Sequence, residues 1–499
     1  MSNLHKSYCR KRWDFPVVNF ERLEIKTCCK TEGQKISFAE IEEYKEDLFL
    51  NTPFQKERRA EMLRGVRHSS CETCWAAEDS GLSSFRQNDT KLAKPWIIKD
   101  KTSEIDSSFS TETELVNTKN SETVFIRNID KDHSILRSDQ VDQLEIVLGN
   151  ECNLKCSYCS PFYSTKWRED LELWALGTNA KELSEENKVD LFEKLTKRES
   201  EAFWNYFWSW FDNTVIKSVD RISLIGGEPL ISSMLPRFLA RLEESLIRRS
   251  QNSQSKLPKF IIVTNLSLVG KKFQELLEKI KAISSITEVE IQVSFENVGE
   301  KAEYVRNGLN WSNLHNNLVE LCKLKETPVS IGVQMAINSL SVSSLQKVVT
   351  YIYDLSVEFD KEIVLYPIVV TYPEVHKPFI LPAVFSKHVA MAIFKTDQVL
   401  SSLGDNRDKM IDSLNYLKSV LVPMYQSLRE SQSKSSKWGA GSLDLARVNF
   451  YRYFSAYDKV RGTSFSNTFP EYTNFFEDCR RLHDSNSNIN PLYDQIISK

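Results

Sequence analysis

Residues Glu151 to Cys159 read ECNLKCSYC, which sets Cys152, Cys156 and Cys159 in the spacing C-x3-C-x2-C. Three thiolates this close can hold one inorganic cluster, because iron-sulfur clusters are ligated by cysteine thiolates. A cubane has four irons, so three local ligands leave one iron to a distant cysteine or open to chemistry. Half of the ten cysteines lie in residues 1–86: Cys9, Cys28, Cys29, Cys71 and Cys74. Cys71-Glu-Thr-Cys74 is a C-x2-C knuckle that suits a closed zinc site or a pair of cluster ligands. Cysteines grouped in short motifs, in a chain whose opening MSNLHKSYCRKRWDF lacks the apolar core of a signal peptide, read as metal ligands rather than disulfides.

The elements that must position these groups are legible downstream of residue 141. Short apolar runs at 144–148, 221–225, 259–263, 288–294, 330–336 and 362–369 alternate with stretches of helical apolar spacing at 233–249, 269–283, 312–324 and 341–358. That alternation predicts repeated βα units and a parallel sheet, an α/β fold with six strands rather than eight. In β/α barrels the active site forms on the loops after the strands. Here the cysteine loop follows the first strand, Gly226-Gly227-Glu228-Pro229 the second, Thr264-Asn265 the third, Ser294-Phe295-Glu296 the fourth, and Asn338 the fifth.

On these residues the chain resembles the radical S-adenosylmethionine (radical SAM) superfamily: a C-x3-C-x2-C loop with an aromatic, Tyr158, before its last cysteine, then a GGEP motif. The resemblance implies a partial (β/α)6 barrel and a 4Fe-4S cluster on Cys152, Cys156 and Cys159. Its open iron would chelate the methionine part of SAM, and one electron would cleave the sulfonium to a 5'-deoxyadenosyl radical that abstracts hydrogen from substrate. Gly226, Gly227 and Glu228 would meet the methionine ammonium. Ser294, Glu296 and Arg306 would meet its carboxylate and the ribose, and Tyr158 and Asn265 are further candidate contacts. Each has a plainer reading. The glycines could make a simple turn, Arg306 an ordinary ion pair with Glu303 or a nearby Asp, Asn265 and Asn338 a cap, and Tyr158 a solvent shield.

The N-terminal region resembles twitch-domain radical SAM proteins, relatives of the SPASM group. The shared features are Cys9, the Cys28-Cys29 pair after a strand-like FERLEIKTCC, a helical stretch at 38–64 ending in MLRG, and Cys71, Cys74, Glu78, Gly81 and Arg86 in C-x2-C-x3-E-x2-G-x4-R. AEYVRNGLNW at 302–311 and the FPEY at 469–472 extend that likeness. It implies an auxiliary 4Fe-4S cluster on Cys9, Cys28, Cys71 and Cys74, with Cys29 the alternative to Cys28. Zinc, or unligated cysteines, are the other readings.

The expected organisation is a Cys-rich twitch-like domain at 1–86, a polar linker at 87–140, the partial barrel at 141–382 and a mainly helical extension at 383–499. Aromatic residues among basic ones at 443–476 could stack on nucleic-acid bases, but their helical spacing favours packing on the barrel. Cys322 reads as core, and Cys479 has no partner motif. With 41% hydrophobic and 27% charged residues and a net charge of -3, the chain is ordinary for a globular protein and carries no overall basic signature for nucleic acid. No apolar run approaches the roughly 18 residues that span a bilayer. Those features predict a cytoplasmic protein with no membrane or nucleic-acid partner, and the resemblance implies an enzyme supplied with electrons by a donor such as flavodoxin or ferredoxin. Its substrate would be a peptide, a protein or a small metabolite. The competing class is a non-catalytic iron-sulfur or zinc-binding protein with a structural or redox-sensing role.

Overall fold

A computed structural model describes residues 9–28, 31, 33–43, 48–79, 84, 86–87, 113–117, 123–127, 141–178, 195–251, 256–324, 327–404, 406–430, 440–485 and 490–498. Cys29, Gly81 and most of the 87–140 segment lie outside the described residues. Within that segment, Thr113–Asn117 and Thr123–Arg127 pair as antiparallel strands. The chain divides into two compact units, Met1–Glu145 with Lys197–Val219, and Ile146–Thr196 with Asp220–Lys499.

In the first unit, Val17–Asn19, Glu24–Lys26 and Gln34–Lys35 form a small antiparallel meander. The helical region expected over 38–64 is two helices among the described residues, Phe38–Glu43 and Pro53–Leu63. The second starts afresh because Thr52 and Gln55 form a capping box and Pro53, which lacks an N–H, sits at the first helical position. It stops where the sequence places its glycine. Gly65 adopts a φ of 84°, with Gly65 N–H on Met62 O and Val66 N–H on Glu61 O closing a Schellman end. Helix Lys197–Asn213 also belongs to this unit, with Phe203, Trp204, Phe207, Trp208, Trp210 and Phe211 buried. Phe20 stands edge-on to Phe203 and Phe207 at 5.4 and 4.9 Å, and Phe49 lies 4.5 Å from Trp210.

The second unit is built on a parallel α/β sheet compatible with a TIM-like fold. Strands Arg221–Ile225, Lys259–Thr264, Val289–Ser294, Val329–Ile337 and Ile363–Val369 lie side by side in chain order, all parallel. Gln143–Val147 adjoins Arg221–Ile225 in that order and leads into the cysteine loop. Each pair of later strands is joined by a helix, from Leu235–Ser250 to Leu345–Glu358, as parallel crossovers require. Five of the six residues of Val289–Ser294 are buried, so both faces of this central strand are covered. One face carries polar groups: Lys259 pairs with Glu290 at 2.5 Å, Gln292 donates to Glu290 at 3.0 Å, and Gln334 donates to Gln292 at 2.7 Å.

Beyond residue 383 the described chain is mainly helical, including Ser386–Ser402, Asp408–Glu430, Ala440–Arg461 and Thr473–Asp484. The aromatic stretch falls on Ala440–Arg461, where Phe450, Tyr453, Phe454 and Tyr457 are buried in the core. Cys322 and Cys479 are buried as well. No helix among the described residues is long and apolar enough to cross a membrane.

Candidate active site at the cysteine loop

The loop carrying Cys152, Cys156 and Cys159 is tied down along its whole length. At its start, Gly227 N–H donates to Gly149 O at 3.1 Å and Glu228 N–H to Glu151 O at 2.7 Å. The glycines of the GGEP motif are needed for this approach. A Cβ on Gly227 would lie 2.4 Å from Glu151 O, and one on Gly226, whose φ is 136°, would lie 2.6 Å from Gly149 O. Their close neighbour is therefore the main chain of the cysteine loop itself.

In the middle of the loop, Lys155–Cys156 forms a two-residue antiparallel bridge with Arg306–Asn307, pairing Cys156 with Arg306. Ser157 N–H donates to Val305 O at 2.7 Å beside it. The loop's carbonyls are held by side chains: Leu154 O by Ser164 Oγ at 2.7 Å, and Cys156 O by Trp167 Nε1 at 3.0 Å. Ser157 O accepts from both Tyr453 Oη at 2.8 Å and His376 Nε2 at 2.9 Å. Because a carbonyl can only accept, His376 carries its proton on Nε2, and burial holds its pKa down at about 3.

Over the loop sits a buried charged group. Arg306 donates through Nε and Nη2 to Glu296 Oε2 at 3.1 and 2.6 Å, Tyr158 Oη donates to the same oxygen at 3.0 Å, and Arg306 Nη1 reaches Cys156 Sγ at 3.9 Å. The simpler pairing of Arg306 with Glu303 is not what forms, since Glu303 accepts from Trp311 N–H at 2.8 Å. Glu296 Oε1 and both polar atoms of the adjacent Asn297 are buried without hydrogen-bond partners. Such orphaned groups mark a place where ligand atoms or water complete the bonding.

Glu228, 2% exposed, spends its carboxylate on protein donors. Oε1 accepts from Leu230 N–H at 3.0 Å and Thr264 Oγ1 at 2.7 Å, and Oε2 from Asn265 N–H at 2.6 Å. Burial pushes its pKa up to about 7, and those three hydrogen bonds keep it from rising further. Asn265 in turn donates to Asn153 Oδ1 at 3.1 Å, so the ends of the second and third strands are knitted to the cysteine loop. Ser294 stands half-buried at the end of its strand, in register with Gln334. Asn338 is a cap: its Oδ1 accepts from Leu340 and Ser341 N–H groups at 2.9 and 3.2 Å.

Burial also raises the three thiols. Cys159 is pushed up to about 12, with Cys152 adding to the effect, and Cys156 is raised by burial and by both other cysteines while Arg306 opposes the shift. Without a bound cation they are thiols, and metal binding would release their protons. The donor set fits an iron-sulfur cluster: Leu154 N–H points at Cys152 Sγ at 3.5 Å, as Arg306 does at Cys156. Among the described residues no three of His, Cys, Asp and Glu converge on a single metal ion. A cubane spreads its cysteines over separate irons and does not require that convergence.

The first unit holds four further described cysteines. Cys9, Cys28, Cys71 and Cys74 are all buried, and Cys9 feels the charge of each of the other three, which adds to the upward shift that burial gives its thiol. Trp75, Trp13 and Met62 pack around Cys9 and Cys71. Glu78 and Arg86, two further residues of the motif, pair at 2.5 Å, with the Arg86 guanidinium 4.7 Å over the Trp75 ring.

The residues that sequence reasoning missed are the clamps Ser164, Trp167, His376 and Tyr453, together with Asn297. Only Ser164 and Trp167 lie near enough to the cysteines in the chain for proximity to have suggested them.

The chain matches no protein-family model. It is similar to the radical SAM cyclopropyl synthase TigE of Paramaledivibacter caminithermalis, 24% identical over 193 residues, which cover 38% of this chain and 34% of that protein. The matched part is thus about a third of the length of that relative. This similarity supports the radical SAM superfamily.

Proposed function

We propose that this chain is a radical SAM enzyme whose Cys152, Cys156 and Cys159 hold a SAM-binding 4Fe-4S cluster. When bound, that cluster and SAM supply one-electron cleavage of the sulfonium and a radical able to abstract hydrogen from an organic substrate, here a peptide, a protein or a small metabolite. The observation that carries the reading is the joining of the cysteine loop to the GGEP backbone on one side and to Arg306 on the other.

The chain's own residues have distinct parts in this reading. Gly226 and Gly227 admit the loop's main chain, and Glu228 fixes Thr264 and Asn265 beside it while placing a carboxylate near Cys152. Arg306 and Tyr158 orient Glu296 so that its second oxygen and Asn297 are left for ligand atoms. Ser294 lies near enough in sequence to share that task. In the first unit, Cys9, Cys28, Cys71 and Cys74 hold a second 4Fe-4S cluster, which exchanges electrons. The relative's printed name, a cyclopropyl synthase, is consistent with hydrogen abstraction from carbon as the first step on substrate.

Anaerobic reconstitution followed by 5'-deoxyadenosine measurement tests the reading. Wild type with a reductant and SAM is expected to form it, and a variant with Cys152, Cys156 and Cys159 replaced by Ala to form none. Persistent SAM cleavage in that variant would overturn the assignment.

A further inference from the structure

The first unit buries a cation that faces no carboxylate. Arg12 is 3% exposed, and its guanidinium donates to Thr27 Oγ1 at 2.8 Å, Ser70 Oγ at 2.7 Å and Cys71 Sγ at 3.1 Å. Among the described residues no carboxylate lies within ion-pair distance of it. Asp14, two residues away, is taken by Arg10 at 2.5 Å, and Glu78 by Arg86. A buried charge without a counter-charge is costly enough that proteins pair or neutralise it, and Arg cannot give up its proton. The two hydroxyls are neutral. Of the three partners, Cys71 sulfur is the one that can become an anion.

A neutral thiol is a weak acceptor, whereas hydrogen bonds to an ionised acceptor are about twice as strong as neutral ones. The Arg12 guanidinium on the Cys71 sulfur is therefore a donor suited to a thiolate.

We propose that Arg12 is the counter-cation of an anionic, all-thiolate centre on Cys9, Cys28, Cys71 and Cys74, and that it raises the reduction potential of that centre. The proposal rests on the second-cluster reading above. Net charge and hydrogen bonds to sulfur are both levers on the potential of an iron-sulfur cluster, and a guanidinium on a ligand sulfur favours the reduced, more negative state. Thr27 and Ser70 hold the guanidinium in place and make Arg12 a positioning residue for the centre rather than a ligand.

The full-length chain with Cys152, Cys156 and Cys159 replaced by Ala isolates this centre. It is reconstituted anaerobically, its iron is counted, and the cluster is titrated with dithionite and mediators under electron paramagnetic resonance. About four irons are expected in this parent. Arg12→Gln, which keeps donors and loses the charge, is expected to retain the iron and to be about tenfold harder to reduce, ~59 mV more negative for a one-electron couple. Arg12→Lys, which keeps the charge, is expected between the two. If Arg12→Gln takes up no iron, restoration of iron in Arg12→Lys supports the charge pairing and failure to restore it overturns it. An Arg12→Gln midpoint equal to the parent's, or Arg12→Lys displaced as far as Arg12→Gln, overturns the role of Arg12 and leaves the four-iron centre standing. A parent that binds zinc, or no metal, overturns the second-cluster reading and this proposal together.

Discussion

Arg306 and Cys156 are direct partners across a two-residue antiparallel bridge, and the Arg306 guanidinium folds back to within 3.9 Å of the Cys156 sulfur while gripping Glu296. Backbone and side chain of one residue thus fix both the path of the cysteine loop and the charge beside it. Glu296 is fully buried, and Arg306 is the cation that it pairs with.

Replacing Arg306 with Leu strands the Glu296 carboxylate. The metal-free protein is expected to lose about 3–5 kcal/mol in urea unfolding, the usual cost of breaking a buried pair by removing one partner. Glu296→Leu combined with Arg306→Leu should lose less than the sum of the single changes, since the double variant leaves no unpaired charge. Additive losses would show that the two groups are not coupled.

Gly227→Ala places a methyl group 2.4 Å from Glu151 O, which is backbone and cannot step aside cheaply. The expected result is displacement of the cysteine loop and loss of its cluster. Reconstituted iron should then fall from about eight to about four per chain. Gly270→Ala serves as the control, because a Cβ there meets nothing within 4 Å although its φ of 61° carries some strain. Wild-type iron content in Gly227→Ala would refute the stitching role.

His376 makes stability depend on pH. Its folded pKa, held down at about 3 by burial, lies below the ordinary 6.5. Between these values the unfolded chain binds a proton that the folded chain does not, so stability is full above about 6.5 and is lost progressively as pH falls toward 3. Lowering the pH from 7 to 5 should cost ~2 kcal/mol through this group. Urea unfolding at both pH values, in wild type and in His376→Gln, checks it. The wild type should lose about that much more than the variant, and equal losses would contradict the burial argument.

What the sequence disclosed was whatever is encoded by local spacing. The cysteine loop, the glycines after the second strand and the run of six apolar strands each occupy a short window, and all six strands lie within a few residues of their expected bounds. The purpose of those glycines was less visible. A glycine motif announces close approach but does not name what approaches, and here it is Gly149 and Glu151 of the loop. Partners far along the chain were illegible in the same way: Arg306 stands 150 residues from Cys156, and Tyr453 stands 296 from Ser157. Helix Lys197–Asn213 has a clear apolar face, but nothing in its own pattern says that Phe20 and Phe49 will cover it. In the first unit, motif spacing brought Cys71 and Cys74 into view, whereas Arg12 looked like one more basic residue in a charged N-terminal segment.

The clamp from Tyr453 to Ser157 also sets an order of events during biosynthesis. A ribosome adding about 5–20 residues per second needs roughly 15–60 s to pass from one to the other. Through that interval the nascent chain presents Cys152, Cys156 and Cys159 with their carbonyl anchor still unmade. Completion of the loop is consequently a late step, and the growing polypeptide passes through a window in which these thiols are open to oxidation or to adventitious metal.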